Sequence, residues 1–167
     1  MPAIQTLAQA SAGVSGVAAA AARLALGRGL IMASQFDKAA DAFRDAATAA
    51  ASAGALEPEA SAWFNLAMVQ QQLEPGKLVS SVEKGLAVVA KAEEAGEAAS
   101  VAVVKCELEL LKAVAGLYES VVDAAAIDQL RAAQPECAPA SAVGWVVANV
   151  GSSGNGGRQL GAIPRAA

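Results

Sequence analysis

The chain has 167 residues, 16 acidic and 12 basic side chains, a net charge of −4 and no histidine. Its basic residues are scattered and do not form the stripe that nucleic-acid binding needs, so we predict no nucleic-acid partner. Without histidine the chain lacks the usual general base, the Ser-His and Cys-His nucleophile systems and most catalytic zinc sites. We therefore predict that it is not an enzyme and that it binds no cofactor or metal.

Alanine dominates the composition. It makes up about a quarter of the chain, and hydrophobic residues together make up 55%. Because alanine favours helix and buries little area, this composition predicts one all-α domain with closely packed helices. Charged residues are 17%, below the usual value of about 25%. We expect part of this weakly charged surface to contact a protein partner. The alternative is that alanine-coated helices are soluble alone.

The two cysteines, Cys106 and Cys137, are 31 positions apart along the chain. They lack the short spacing of a metal knuckle or a redox pair. We expect both to be reduced, with a single disulfide as the alternative.

The first acidic residue is Asp37. Residues 1–22 are apolar but interrupted by Gln, Ser and Gly, so we predict no membrane-spanning helix there. An acid-poor, alanine-rich start also resembles an organelle transit peptide. An ordinary N-terminal helix is the interpretation that we prefer.

Three helices are predicted in the first third of the chain. They cover residues 4–12, 17–32 and 36–53, and Gly54 is well placed to end the third. Because residues 54–61 include Pro58, we predict a loop there.

The predicted turn Glu74-Pro75-Gly76 precedes a fourth helix. This helix presents Leu78, Val82, Leu86 and Val89 on one face. After an acidic corner around Gly96, the longest helical pattern begins near Val101 and extends towards Leu130. Residues 1–133 thus form the predicted helical domain. Residues 134–167, rich in Gly and Pro, form a predicted irregular tail.

Small and large side chains recur at helical spacing in the second and third predicted helices. The positions are Leu26, Gly27, Leu30, Phe36, Ala39, Phe43 and Ala46. This pattern resembles the tetratricopeptide repeat, which is about 34 residues long. In the resemblance Gly27 and Ala39 are the small residues where two helices cross, and Phe43 is the large residue between them.

The pattern restarts at Trp63. The chain departs from the repeat at Arg23, which stands in place of the first tryptophan, and at Gln70, which replaces a tyrosine. The resemblance covers about half of the chain. It implies a right-handed array of antiparallel helical hairpins, and an up-and-down bundle is the alternative fold.

The resemblance also implies candidate partner-binding residues. The first helix of each repeat lines the concave groove, which selects Asn65, Met68 and Gln70. A tail tryptophan is costly to leave in water, so Trp145 is a fourth candidate. These features predict a non-enzymatic interaction module: a structural subunit, or an assembly or scaffold factor, inside the cell. A more specific alternative is an accessory subunit associated peripherally with an organellar membrane complex, such as a chloroplast photosystem.

Two weaker site hypotheses remain. The glycines of residues 151–157 resemble the phosphate loop of some atypical short-chain dehydrogenases, which makes nucleotide binding an alternative function. Since few residues follow and no strand-helix units precede it, we prefer a flexible linker. Among the acidic residues, Glu107 and Glu109 fall on different helix faces, so we expect solvated charges there and also at Asp123.

Overall fold

The computed structural model describes residues 4–6, 8–9 and 13–119, without the side chains of residues 113, 114 and 116–119. The described part is helical and contains no strand, which confirms the predicted all-α class. After helical residues at 4–6 and 8–9, five helices follow in order. They are α1 (Gly16–Met32), α2 (Phe36–Ser52), α3 (Leu56–Leu73), α4 (Pro75–Glu94) and α5 (Ala98–Glu119). The predicted extension to Leu130 and the predicted tail 134–167 lie outside these residues.

Three of the connections have the same backbone structure. Each of them is a three-residue segment that follows a helix, at residues 33–35, 53–55 and 95–97. The middle residue of each segment has a positive φ: 57° at Ser34, 64° at Gly54 and 81° at Gly96. In each connection the last amide bonds back to a carbonyl five residues earlier, as from Ala55 to Ala50 at 2.9 Å. These bonds satisfy the carbonyls that a helix end leaves unpaired and let the next helix turn back.

The predicted loop at residues 54–61 is wrong. Helix α3 begins at Leu56, and Pro58 lies in its first turn. The missing N–H of proline costs nothing there, because the first amides of a helix have no intrahelical acceptor. For the same reason Pro75 is the first residue of α4, and Glu74 alone separates α4 from α3.

The core consists of two clusters that use different side chains. The first joins α1, α2 and α3 and is mostly alanine around the fully buried Phe43. The second joins α3, α4 and α5 and is mostly valine and leucine, as the predicted apolar faces of α4 and α5 require. Trp63 packs against both clusters. The first cluster therefore depends on close backbone approach, and the second on larger side chains.

Helix α3 is the centre of the described structure, because it contacts all four other helices. Neighbouring helices along the chain also pack together, whereas α2 and α4 do not contact each other. These two helices therefore flank α3 with a gap between them. None of the described helices combines the length and the hydropathy needed to cross a bilayer.

Cys106 lies on α5, is buried and is disulfide-bonded. This finding contradicts the expectation that both cysteines are reduced. Cys137, the second cysteine of the sequence, lies outside the described residues.

Candidate partner-binding cleft

The gap between α2 and α4 forms a half-open cleft of about 200 Å³. Helix α3 provides its floor, α2 one wall and α4 the other. The lining residues are Arg44, Trp63, Leu66, Gln70, Lys77, Ser80, Ser81 and Lys84. We call this site the α2–α4 cleft.

The floor consists of one face of α3. Trp63, Leu66 and Gln70 are spaced three and four residues apart, which aligns them along one side of a helix. Gln70 is nearly fully buried, and its Oε1 accepts a hydrogen bond of 2.6 Å from the hydroxyl of Ser81 on α4. This bond joins the floor to one wall. It also satisfies a polar group that would otherwise be costly to bury.

The walls of the cleft carry three cations and no acidic side chain. The Lys84 ammonium lies 4.7 Å from the centre of the Trp63 ring, a cation–π distance. Arg44 forms an ion pair with Asp41 on its own helix, and Lys77 forms one with Glu74 at 2.8 Å. Among the salt bridges of the described residues, none involves Lys84.

A second, more polar depression of about 350 Å³ adjoins the cleft and shares Arg44 and Lys77 with it. Its other lining residues include Asp37, Asp41 and Glu74. The groove between α2 and α4 is therefore basic at the Trp63 end and mixed in charge at the end nearest the α3–α4 connection.

The structure separates the predicted partner-binding residues. Gln70 lines the α2–α4 cleft. Asn65 and Met68 lie about 160° and about 140° around the helix from Trp63, so they do not share that face. The Asn65 amide donates to the Ser61 carbonyl at 2.7 Å, and Met68 packs against the valine-rich cluster.

Trp145, the residues 151–157 and Asp123 lie outside the described residues. The predictions made for them therefore remain predictions.

Most of the residues that line the cleft were not predicted from the sequence. Lys77, Ser80, Ser81 and Lys84 recur three, four and seven residues apart, so a polar and basic stripe on α4 was visible in the sequence. Arg44 was not identifiable, since nothing local indicates that α2 faces α4 across α3. Trp63 was identified as the point where the repeat pattern restarts, and the structure places it both against the core and in the cleft.

Glu107 differs from the expected solvated charge. It is half-buried on α5, and burial raises the pKa of its carboxyl, although the positive charge of Arg28 on α1 opposes this shift.

Within the described part of the chain, no group of three or more potential ligands could hold a metal ion.

Comparisons with protein-family models, with curated proteins and with solved structures find no match to this chain.

Proposed function

We propose that this chain is a non-enzymatic protein–protein interaction module that works as a structural subunit, or as an assembly or scaffold factor, of a larger complex. The observation that carries the proposal is the α2–α4 cleft. Its floor and walls lie on three packed helices, so a partner meets a surface that is already formed. Preformed surfaces bind with a smaller loss of conformational entropy than surfaces that must first become ordered.

The composition of the cleft supports the same proposal. Tryptophan and arginine are the residues most enriched at the energetic centres of protein interfaces. Trp63 is half-buried at the floor, and Arg44 is exposed on the wall. A rigid aromatic side chain with a cation beside it can gain contact area at a low entropic cost.

We also propose that the helical hairpins are degenerate tetratricopeptide-like repeats. Two observations support this. A Cβ added at Gly27 would lie 2.7 Å from Cζ of Phe43, so a small residue is needed where α1 crosses α2. In addition, α1 contacts α3 and α3 contacts α5. Such contacts between every second helix are typical of a stacked array and not of a closed bundle.

The proposed interface is tested by blocking the cleft sterically. Ser80 is exposed and lines the cleft, so Ser80→Trp fills it without removing a charge. The tagged 167-residue chain and its Ser80→Trp and Ala90→Trp variants are purified under matched conditions from cells of the native source, and co-purifying proteins are quantified. Ala90 is an exposed residue of α4 outside the cleft.

We expect a protein partner at near-stoichiometric amount with the original chain and with Ala90→Trp, and at least a tenfold loss with Ser80→Trp. Equal recovery from all three chains would show that the partner does not use the cleft. A chain that elutes alone as a monomer by light scattering, with no recovered partner, would contradict the interaction module itself.

A further inference from the structure

The α2–α4 cleft is a basic site on an acidic chain. The chain carries a net charge of −4, yet the eight lining residues include Arg44, Lys77 and Lys84 and no acid. Arg44 and Lys77 are paired with Asp41 and Glu74 on or next to their own helices, whereas none of the salt bridges among the described residues involves Lys84. Concave walls of low dielectric concentrate the field of such charges.

The three cations can accept a new anionic partner at little cost. The two ion pairs of the cleft are exposed, with side-chain exposures of 43% and 73% for Arg44 and Asp41 and of 61% and 42% for Lys77 and Glu74. Exposed pairs of this kind add little to stability, so an incoming carboxylate can replace the local one. Lys84 is held over the Trp63 ring, which fixes the position of its charge and leaves its ammonium protons as hydrogen-bond donors.

We infer that the α2–α4 cleft binds a short acidic segment of the protein partner, with its carboxylates against Arg44 and Lys84 and its aliphatic part on Trp63. This inference rests on the proposed function, because it names the chemistry of the partner at the same interface. The mixed-charge end of the groove, with Asp37, Asp41 and Glu74, limits the acidic run to a few residues. Beyond them, the segment is neutral or basic.

A nucleic acid is the competing anionic ligand, since Trp63 could stack on a base. A phosphate backbone extends well beyond one cleft, however, and needs a continuous basic stripe to follow it. The neighbouring acids and the net charge of the chain oppose such a backbone. A short acidic peptide meets only the basic end of the groove.

The test uses a fluorescently labelled, capped peptide with three consecutive glutamates between glycine and serine residues. Its control is the same peptide with three glutamines, and a third ligand is an oligothymidine of the same length. Anisotropy is followed with the full chain, with the double variant Arg44→Gln and Lys84→Gln, and with the matched double variant Lys38→Gln and Lys91→Gln. Both variants remove one cation from α2 and one from α4, but Lys38 and Lys91 lie outside the cleft.

We expect saturable binding of the glutamate peptide that weakens as salt is added, and at least tenfold weaker binding of the glutamine peptide. The cleft variant should lower the affinity for the glutamate peptide by about tenfold, because it removes two exposed charge pairs and each is worth about a two- to fivefold change in affinity. The matched variant should change it by less than twofold. Melting curves of both variants establish that they are folded.

Equal binding of the two peptides, equal losses in the two variants, or tighter binding of the oligothymidine would overturn the inference. The proposed function would fail separately. If Ser80→Trp releases the native partner while the Arg44 and Lys84 double variant retains it, the interface stands and its acidic ligand is rejected.

Discussion

The contact between Gly27 and Phe43 shows how little space the first cluster leaves. The Phe43 ring is fully buried, and a Cβ at position 27 would lie 2.7 Å from its Cζ and 2.8 Å from its Cδ1. Carbon atoms do not approach so closely, so either the ring or α1 would have to shift. Neither shift is cheap, because the ring is fully buried in a cluster formed by α1, α2 and α3.

We therefore expect Gly27→Ala to lower the free energy of unfolding by about 1–3 kcal/mol, although alanine is the better helix former. Gly76→Ala is the matched control, since Gly76 lies in α4 and a Cβ there meets nothing within 4 Å. It should leave stability unchanged or raise it by up to about 1 kcal/mol. Urea denaturation measures both, and equal effects would contradict the close packing.

The pH dependence of stability should reveal the half-buried carboxyl of Glu107. Burial raises the pKa of this group, so between the ordinary pKa of a glutamate and the raised value the folded chain binds more protons than the unfolded chain. Stability contributed by this group is complete below that range and is lost as pH rises through it. The variant Glu107→Gln does not titrate and should gain melting temperature relative to the original chain as pH increases.

The charge of Arg28 opposes this loss because it attracts the ionised Glu107. Arg28→Gln should therefore make the loss of melting temperature with rising pH steeper. Thermal melts from acid to neutral pH measure both variants. Parallel profiles for Glu107→Gln and the original chain would rule out the proposed titration.

At the scale of helices, the hydrogen bond between Ser81 and Gln70 sets how α4 lies on α3. Both side chains are nearly fully buried, and the donor and acceptor oxygens are 2.6 Å apart. Sliding either helix by one residue would leave a buried polar group without its partner, which is costly in an apolar surrounding. Apolar contacts alone would not select this register as strictly.

Ser81→Ala should lower the free energy of unfolding by about 1–2 kcal/mol, because it leaves Oε1 of Gln70 without its donor. Its neighbour Ser80 is exposed, and Ser80→Ala should change stability by less than about 0.5 kcal/mol. Adding Gln70→Leu to Ser81→Ala should recover part of the loss, since no polar group then remains unpaired. Denaturant curves of these variants would contradict the role of the bond if Ser81→Ala behaved like Ser80→Ala.

At the scale of the whole molecule, α3 contributes residues to both core clusters of the described structure. Trp63 packs against both, and its Cβ would lie 3.3 Å from a Cβ added at Gly85. The described helices should therefore unfold together, since loosening α3 weakens the packing on both sides. The salt bridge of 2.7 Å between Lys105 and Glu93 adds a tie between α5 and α4, and hydrogen bonding to Glu93 raises the pKa of Lys105.

Replacing Trp63 tests this coupling. Trp63→Ala should cost about 2–3 kcal/mol, less than for a fully buried tryptophan, and should lower hydrogen-exchange protection in α2 and α4 alike. Met32→Ala is the control, because Met32 is 89% exposed and its loss should change stability by less than about 0.5 kcal/mol. Loss of protection on only one side of α3 would show that the two clusters are independent.

Local patterns were sufficient for much of the fold. Helical periodicity identified α1, α2, α4 and the beginning of α5, because the spacing of apolar residues reports which face is buried. Glycines at positions 54 and 96 marked two connections, since few other residues adopt a positive φ. Pro58 was misleading because proline is as compatible with a first helical turn as with a loop, and only the observed start of α3 distinguishes the two.

The candidate site was much less accessible from the sequence. The prediction of a non-enzymatic protein used composition and the absence of histidine, which do not depend on folding. Gln70 was selected by its place in a helical pattern. The α2–α4 cleft brings together Arg44, Trp63 and Lys84 from three helices, and that meeting depends on α2 and α4 packing beside α3 without contacting each other. Sequence spacing determines which residues share a face of one helix. Only tertiary packing decides which faces of different helices meet, because that choice depends on contacts between residues far apart in the chain.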